Sequence, residues 1–114
     1  MKTNELISSY DETNDILFCR ISEVKGYLAS YDISDGVFLN LGKDNLPVSI
    51  HINNASEVLD VGKGLLEDPN ILVLIRCRGN ELDFELFIAN RRIYASKSMN
   101  NFNIPQINYK IQLN

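Results

Sequence analysis

Two alternating runs around Gly79-Asn80 constrain this chain more than any other feature. Ile71 to Arg78 and Glu81 to Ala89 both read as strands, and a two-residue loop with glycine first fits a type II′ hairpin turn. Folding there sets Arg78 against Glu81 and Arg76 against Asp83 on one face. On the other it sets Cys77 against Leu82, Ile75 against Phe84 and Val73 against Leu86. Each matched pair contributes roughly 0.2–1 kcal/mol, so together they fix the register. A slip of one residue would turn every apolar side chain to the wrong face. Asn90-Arg91 reads as a second two-residue turn, which pairs Ile88 with Ile93, Leu86 with Ala95 and Phe87 with Tyr94. Pro105 to Leu113 alternates again, with Ile107, Tyr109, Ile111 and Leu113 on one face.

The first half follows the same logic. The run Ile16 to Ile21 is short and apolar and follows the turn-forming stretch Asp11 to Asp15. Tyr27, Ala29, Tyr31 and Ile33 alternate with Leu28, Ser30 and Asp32, and Asp35-Gly36 then marks a tight turn. Val37, Leu39 and Leu41 share a face, as do Leu46, Val48, Ile50 and Ile52. If Gly42 to Asn45 closes a four-residue hairpin loop, Leu41 meets Leu46, Leu39 meets Val48 and Val37 meets Ile50. The one helical candidate spans Ala55 to Leu66, with Asn54 or Ser56 as N-cap and Val58, Leu59 and Val61 on its apolar face. Gly62 and Gly64 each cost about 1 kcal/mol in a helix interior. The spacing therefore predicts about two turns from Ser56, fraying at Gly62. Glu67 to Asn70 is a turn and the clearest internal boundary.

Composition removes several classes of function. The chain has 114 residues, 45% hydrophobic and 23% charged, which suits a globular fold with its own core. No apolar run approaches 18 residues, so no membrane helix is expected. The N-terminal stretch lacks the apolar segment of a signal peptide. A net charge of -4 argues against generic nucleic-acid binding, which needs a basic face. One histidine and two cysteines are too few for a structural zinc site. Cys19 and Cys77 lie in apolar stretches and read as buried thiols of a cytoplasmic protein rather than a disulfide. The expected fold is mainly β, α+β at most, with antiparallel sheets of seven to nine strands and one short helix near 56–66.

Tyr10-Asp11, Asp15-Ile16-Leu17-Phe18, Ser34-Asp35-Gly36-Val37 and Ile50-His51-Ile52-Asn53-Asn54-Ala55-Ser56 form an ordered ladder of short motifs. From about Ile7 to Leu59 this ladder resembles the small proteins grouped as domain of unknown function 2283. The chain departs from that pattern at His51, where the family usually has an acid, and at Ser49 and Asn45, where it has glycine. It departs again at Asn40 and Gly42, where aspartate is frequent. The resemblance carries no established activity. It implies an antitoxin-like or partner-binding role, because some members are encoded beside small toxin-like proteins. Residues 71–114 have no counterpart in short members. The domain reading is one unit over 1–114, with a family-like meander and helix over 1–66 and an antiparallel meander over 71–114 packed on it.

Three chemical readings follow. A non-enzymatic binding or assembly module without cofactor is favoured. A small hydrolase would use His51, which alternation places with Ser49, Asn53 and Asn40, but no glycine elbow or oxyanion motif surrounds it. A divalent-cation (calcium) binder would use the Asp11–Asp15 loop, completed by Asp35 or Asp44, although that loop lacks the glycine and distal glutamate of an EF-hand. The aromatic residues Phe38, Phe87 and Tyr94 fall on faces opposite the inferred core. They are read as an interface of a homodimer, or with a small protein partner.

Overall fold

The computed structural model describes residues 2–112. Nine strands form: β1 (Lys2–Asp11), β2 (Ile16–Ile21), β3 (Ala29–Ser34), β4 (Val37–Leu41), β5 (Pro47–Asn53), β6 (Ile71–Arg78), β7 (Glu81–Ile88), β8 (Arg91–Met99) and β9 (Ile107–Gln112). One helical turn, α1 (Ala55–Val58), follows β5. The strand order is β3-β4-β5-β2-β1-β9-β6-β7-β8. The fold is thus mainly β with one short helix, as expected.

The sheet is mixed rather than purely antiparallel. β1 is long enough to serve two partners. Leu6 to Asp11 pair antiparallel with β2, while Lys2 to Glu5 pair parallel with β9. β1 is therefore the seam between the family-like strands and the C-terminal ones. Alternation puts Leu17, Cys19, Val37, Leu39, Ile50 and Ile52 from one side into the same buried cluster as Val73, Ile75, Phe84, Leu86 and Ile111 from the other. The two terminal strands of the order meet again through side chains. The Ser34 hydroxyl hydrogen-bonds the Tyr94 hydroxyl, and Tyr31 stacks on Phe102 with ring centroids 4.7 Å apart. The segment between β8 and β9 sends Ile104 into the core, and the Asn100 side chain ties down its backbone. No helix among the described residues is long and apolar enough to cross a membrane.

The β6–β7 hairpin has the register read from sequence, from Arg78 opposite Glu81 to Val73 opposite Leu86. Gly79 takes φ +57° and Asn80 has no positive φ, as a type II′ turn requires. The next turn differs. Ala89 and Asn90, at φ 52° and 65°, form it in place of Asn90-Arg91. Asn70 holds them there, its carbonyl accepting from the Ala89 amide and its side chain from Nδ2 bonding Asn90 Oδ1. Ile88 therefore pairs with Arg91, and a bulge at Ile93 sets Tyr94, not Ala95, opposite Leu86. In the β4–β5 hairpin the turn closes on Gly42 and Leu46, and a bulge at Val48 adds another residue. Leu39 consequently meets Ile50 and Val37 meets Ile52, two residues along from the expected pairing. A shift of two preserves the faces, which is why the apolar sets still coincide.

The helix is half as long as its pattern suggested. Asp60 turns left-handed at φ 54°, and the chain resumes as a 3₁₀ turn over Lys63–Glu67. Asn54 occupies the N-cap position but makes no side-chain cap. The cap comes from Asp15 instead, whose carboxylate accepts from the Ser56 amide at 3.0 Å. Leu113, read as the last inward residue of the terminal strand, lies outside the described residues.

Candidate functional site

The outer face of the β3-β4-β5-β2-β1 half carries two rows of side chains that run straight across the strands. One row is Ser30, Asn40, Ser49, Arg20 and Ile7. The adjacent row is Asp32, Phe38, His51, Phe18 and Ser9. Period-two alternation generates such rows wherever polar residues occupy the non-core positions of neighbouring strands.

Asn40, fully buried, is the hub. Its Oδ1 accepts from the Ser30 hydroxyl at 2.6 Å, and its Nδ2 donates to Ser49 Oγ at 2.9 Å and reaches His51 Nδ1 at 3.1 Å. An amide nitrogen only donates, so His51 Nδ1 is the acceptor and the ring proton sits on Nε2. Burial lowers the His51 pKa, and the Phe38 ring stacks on the imidazole at 4.8 Å with 7° between planes. Asn40, Ser49 and His51 are three of the positions where the chain departs from the family-like pattern. The structure joins them in one network.

Beside this network lies a cleft of about 180 Å³, lined by Phe18, Arg20, Val24, Lys25, Gly26, Tyr27, Val48 and Ser49. Arg20 shapes its wall. Its Nη1 donates to the carbonyls of Ser22 and Val24, each at 3.0 Å, and of Ile21 at 3.4 Å, which holds the β2–β3 connection in place. This cleft was not read from the sequence. The available signal was one arginine at an alternating outer position in the apolar run Ile16–Ile21.

The acidic loop is occupied with its own backbone and neighbours. Asp11 accepts from the Asn14 amide and Nδ2, which lowers its pKa. Asp15 accepts from the Ser56 hydroxyl and the Tyr10 hydroxyl, both at 2.6 Å, and its pKa falls for the same reason. Burial and then the bond to Asp15 push the Tyr10 pKa up to about 12. Among the described residues no group of three or more His, Cys, Asp or Glu is placed to hold a metal ion, so Asp11, Asp15 and Asp35 are not gathered into one. Cys19 and Cys77 are free and buried, and burial pushes their thiols up to about 12 and about 11.

The three aromatic residues read as an interface do not share a face. Phe38 lies on the outer face of β4 against His51. Phe87 is half-buried opposite Arg92, not Tyr94. The bulge at Ile93 turns Tyr94 inward, where it packs against the core and lies 6.2 Å from the Phe84 ring.

Residues 8–56 match a family model described as protein of unknown function (DUF2283). The matched segment runs from within β1 to the start of α1 and contains Asp15, Ser56 and the Asn40 network. No curated protein and no solved structure matches the chain.

Proposed function

We propose that this chain is a non-enzymatic assembly module of the cytoplasm that pairs with a second copy of itself along the edge of β3. The contrast between the two sheet edges carries this reading. Edge strands expose unpaired backbone groups and are normally blunted by charge. β8 follows that rule, with Arg91, Arg92 and Lys97 along it and salt bridges from Arg92 to Glu85 and from Lys97 to Asp83. β3 carries a single charge, Asp32, and no lysine or arginine from Ala29 to Ser34. Its edge and lead-in expose Leu28 at 82%, Tyr27 at 46% and Tyr31 at 39%. Two copies of such an edge, related by a two-fold axis, would satisfy each other's backbone groups and cover these side chains.

The hydrolase alternative has less support. Serine–histidine chemistry needs the hydroxyl proton within reach of the imidazole. Here the Asn40 amide donates to both partners and occupies His51 Nδ1. Sedimentation velocity at micromolar concentration tests the proposal. The expected species has twice the 13.0 kDa chain mass, and Leu28→Lys converts it to monomer. A wild-type monomer would overturn self-assembly, and a Leu28→Lys dimer would overturn the β3 edge as its seat. A second, smaller chain copurifying from the native host would point to the antitoxin-like variant of this reading.

A further inference from the structure

We infer that the cleft lined by Arg20 and the Val24–Tyr27 segment binds a carboxylate carried on a small apolar body. Half-buried charges are ordinarily paired, because leaving water costs several kcal/mol that only a counter-charge or good hydrogen bonds offset. Every salt bridge among the described residues lies between Glu81 and Lys97, so Arg20 has no carboxylate partner among them. One of its terminal nitrogens is anchored by three carbonyl oxygens, which fixes the plane of the guanidinium. Among the described residues Nε and Nη2 have no hydrogen-bond partner, and neither is a buried unpartnered atom. A fixed guanidinium with free donors is preorganised for a planar, bidentate anion such as a carboxylate.

The rest of the cleft specifies the body of the ligand. Phe18, Val24, Val48 and Tyr27 supply apolar and aromatic walls, the exposed Lys25 adds a second cation, and the buried Ser49 adds a hydroxyl to the lining. At about 180 Å³ the space is smaller than the roughly 300–1,000 Å³ of drug-sized sites, so it suits a single ring or a short chain with its acid group. Two sources share this chemistry: a free aromatic or aliphatic acid, and the C-terminal residue of a peptide. Tyr27 is shared with the proposed β3 edge, whereas Arg20, Phe18, Val24, Val48 and Ser49 belong to the cleft alone.

Amide chemical-shift titrations of the full chain test it, with benzoate and N-acetylphenylalanine as probes and benzamide and N-acetylphenylalaninamide as neutral controls. The expected result is saturable shifts at Val24 to Tyr27, Val48 and Ser49, with the acids binding at least about tenfold more tightly than their amides. The tighter of the two acids identifies the source. Lys25→Glu, at an exposed position, should weaken binding several-fold, and Arg20→Gln should abolish it. Absence of saturable shifts at millimolar acid, equal binding of acid and amide, or wild-type binding by folded Arg20→Gln would each overturn the inference. If Arg20→Gln unfolds, the acid–amide comparison and Lys25→Glu still decide it. Running the titration in Leu28→Lys separates failure of this site from failure of the dimer.

Discussion

Replacing Asn40 by alanine is the sharpest test of how the outer face is held. Asn40 is 0% exposed and makes three side-chain hydrogen bonds, to Ser30, Ser49 and His51. Neutral hydrogen bonds contribute about 1 kcal/mol each, and a buried group left without a partner costs about 1–3 kcal/mol. Ser49, at 4% exposure, would be such a group, whereas Ser30 and His51 can turn to water. With about 1 kcal/mol each for the Ser30 and His51 bonds and about 1–3 for the stranded Ser49, the loss is about 3–5 kcal/mol, or a fall in melting temperature of roughly 10–30 °C for a chain of this size. Urea unfolding and calorimetry read it directly. Asn40→Asp supplies the complementary test. Its carboxylate can still accept from both serines, but it places an anion beside His51 Nδ1. The His51 pKa should then rise above its wild-type value, followed by NMR of the ring protons. A loss below about 0.5 kcal/mol for Asn40→Ala would show that the row is solvated rather than structural. An unmoved His51 pKa in Asn40→Asp would show that the two side chains do not meet.

Further outcomes follow from the same contacts. Burial lowers the His51 pKa in the folded state, so its contribution to stability is complete above the unfolded value and is lost as pH falls below about 6.5; His51→Gln should remove that component from the pH dependence of the urea midpoint. The Asp15 pKa is also lowered, through Ser56 and Tyr10, so the stability it contributes is present above the unfolded carboxylate range and disappears as pH falls through the folded value; Asp15→Asn should flatten that acid limb. The Tyr10 pKa is raised to about 12, so its contribution is full below 10.0 and lost as pH rises through about 12, a limb that Tyr10→Phe should lack. A Cβ on Gly42 would lie 2.9 Å from Val48 Cγ1, so Gly42→Ala should destabilise by about 1–3 kcal/mol in chemical denaturation unless Val48 can shift.

Much of this fold is legible in the sequence because period-two alternation and turn chemistry agree. At Gly79-Asn80 the turn residues, the charge pairs and the apolar pairs all select one register, and the structure has it. Where the expected register fails, a displaced turn and a bulge act together: the β7–β8 turn falls on Ala89-Asn90, the β4–β5 turn closes on Gly42 and Leu46, and each hairpin then carries a bulge. Val48 and Ile93 are ordinary β-formers, and nothing in their identity marks them as the extra residue in a ladder. The second of these bulges decides whether Tyr94 faces solvent or core. β1 was hidden for another reason: its exposed positions are Lys2, Thr3, Glu5, Ile7, Ser9 and Asp11, and only Leu6 is fully buried, so it shows no apolar face. Its parallel pairing with β9 is a long-range choice that no local pattern encodes. In the candidate site, alternation placed Asn40, Ser49 and His51 on one face. It could not show that Asn40 stands between the other two, because that depends on the register of β4 against β5. The link from Asp15 to Ser56 joins two conspicuous motifs, yet it spans 41 residues and emerges only when β2 pairs with β5.

An edge strand made to be paired protects its outer amides only when two copies meet, so hydrogen exchange along β3 reports the proposed dimer. Exchange would be followed strand by strand at two protein concentrations, one well below and one well above the onset of dimerisation in sedimentation. The amides of Ala29 to Ser34 that β4 does not engage should become protected at the higher concentration, while the outer amides of β8 exchange equally fast at both. Outer β3 amides that stay unprotected at every concentration, or protection that develops on β8 instead, would contradict the account.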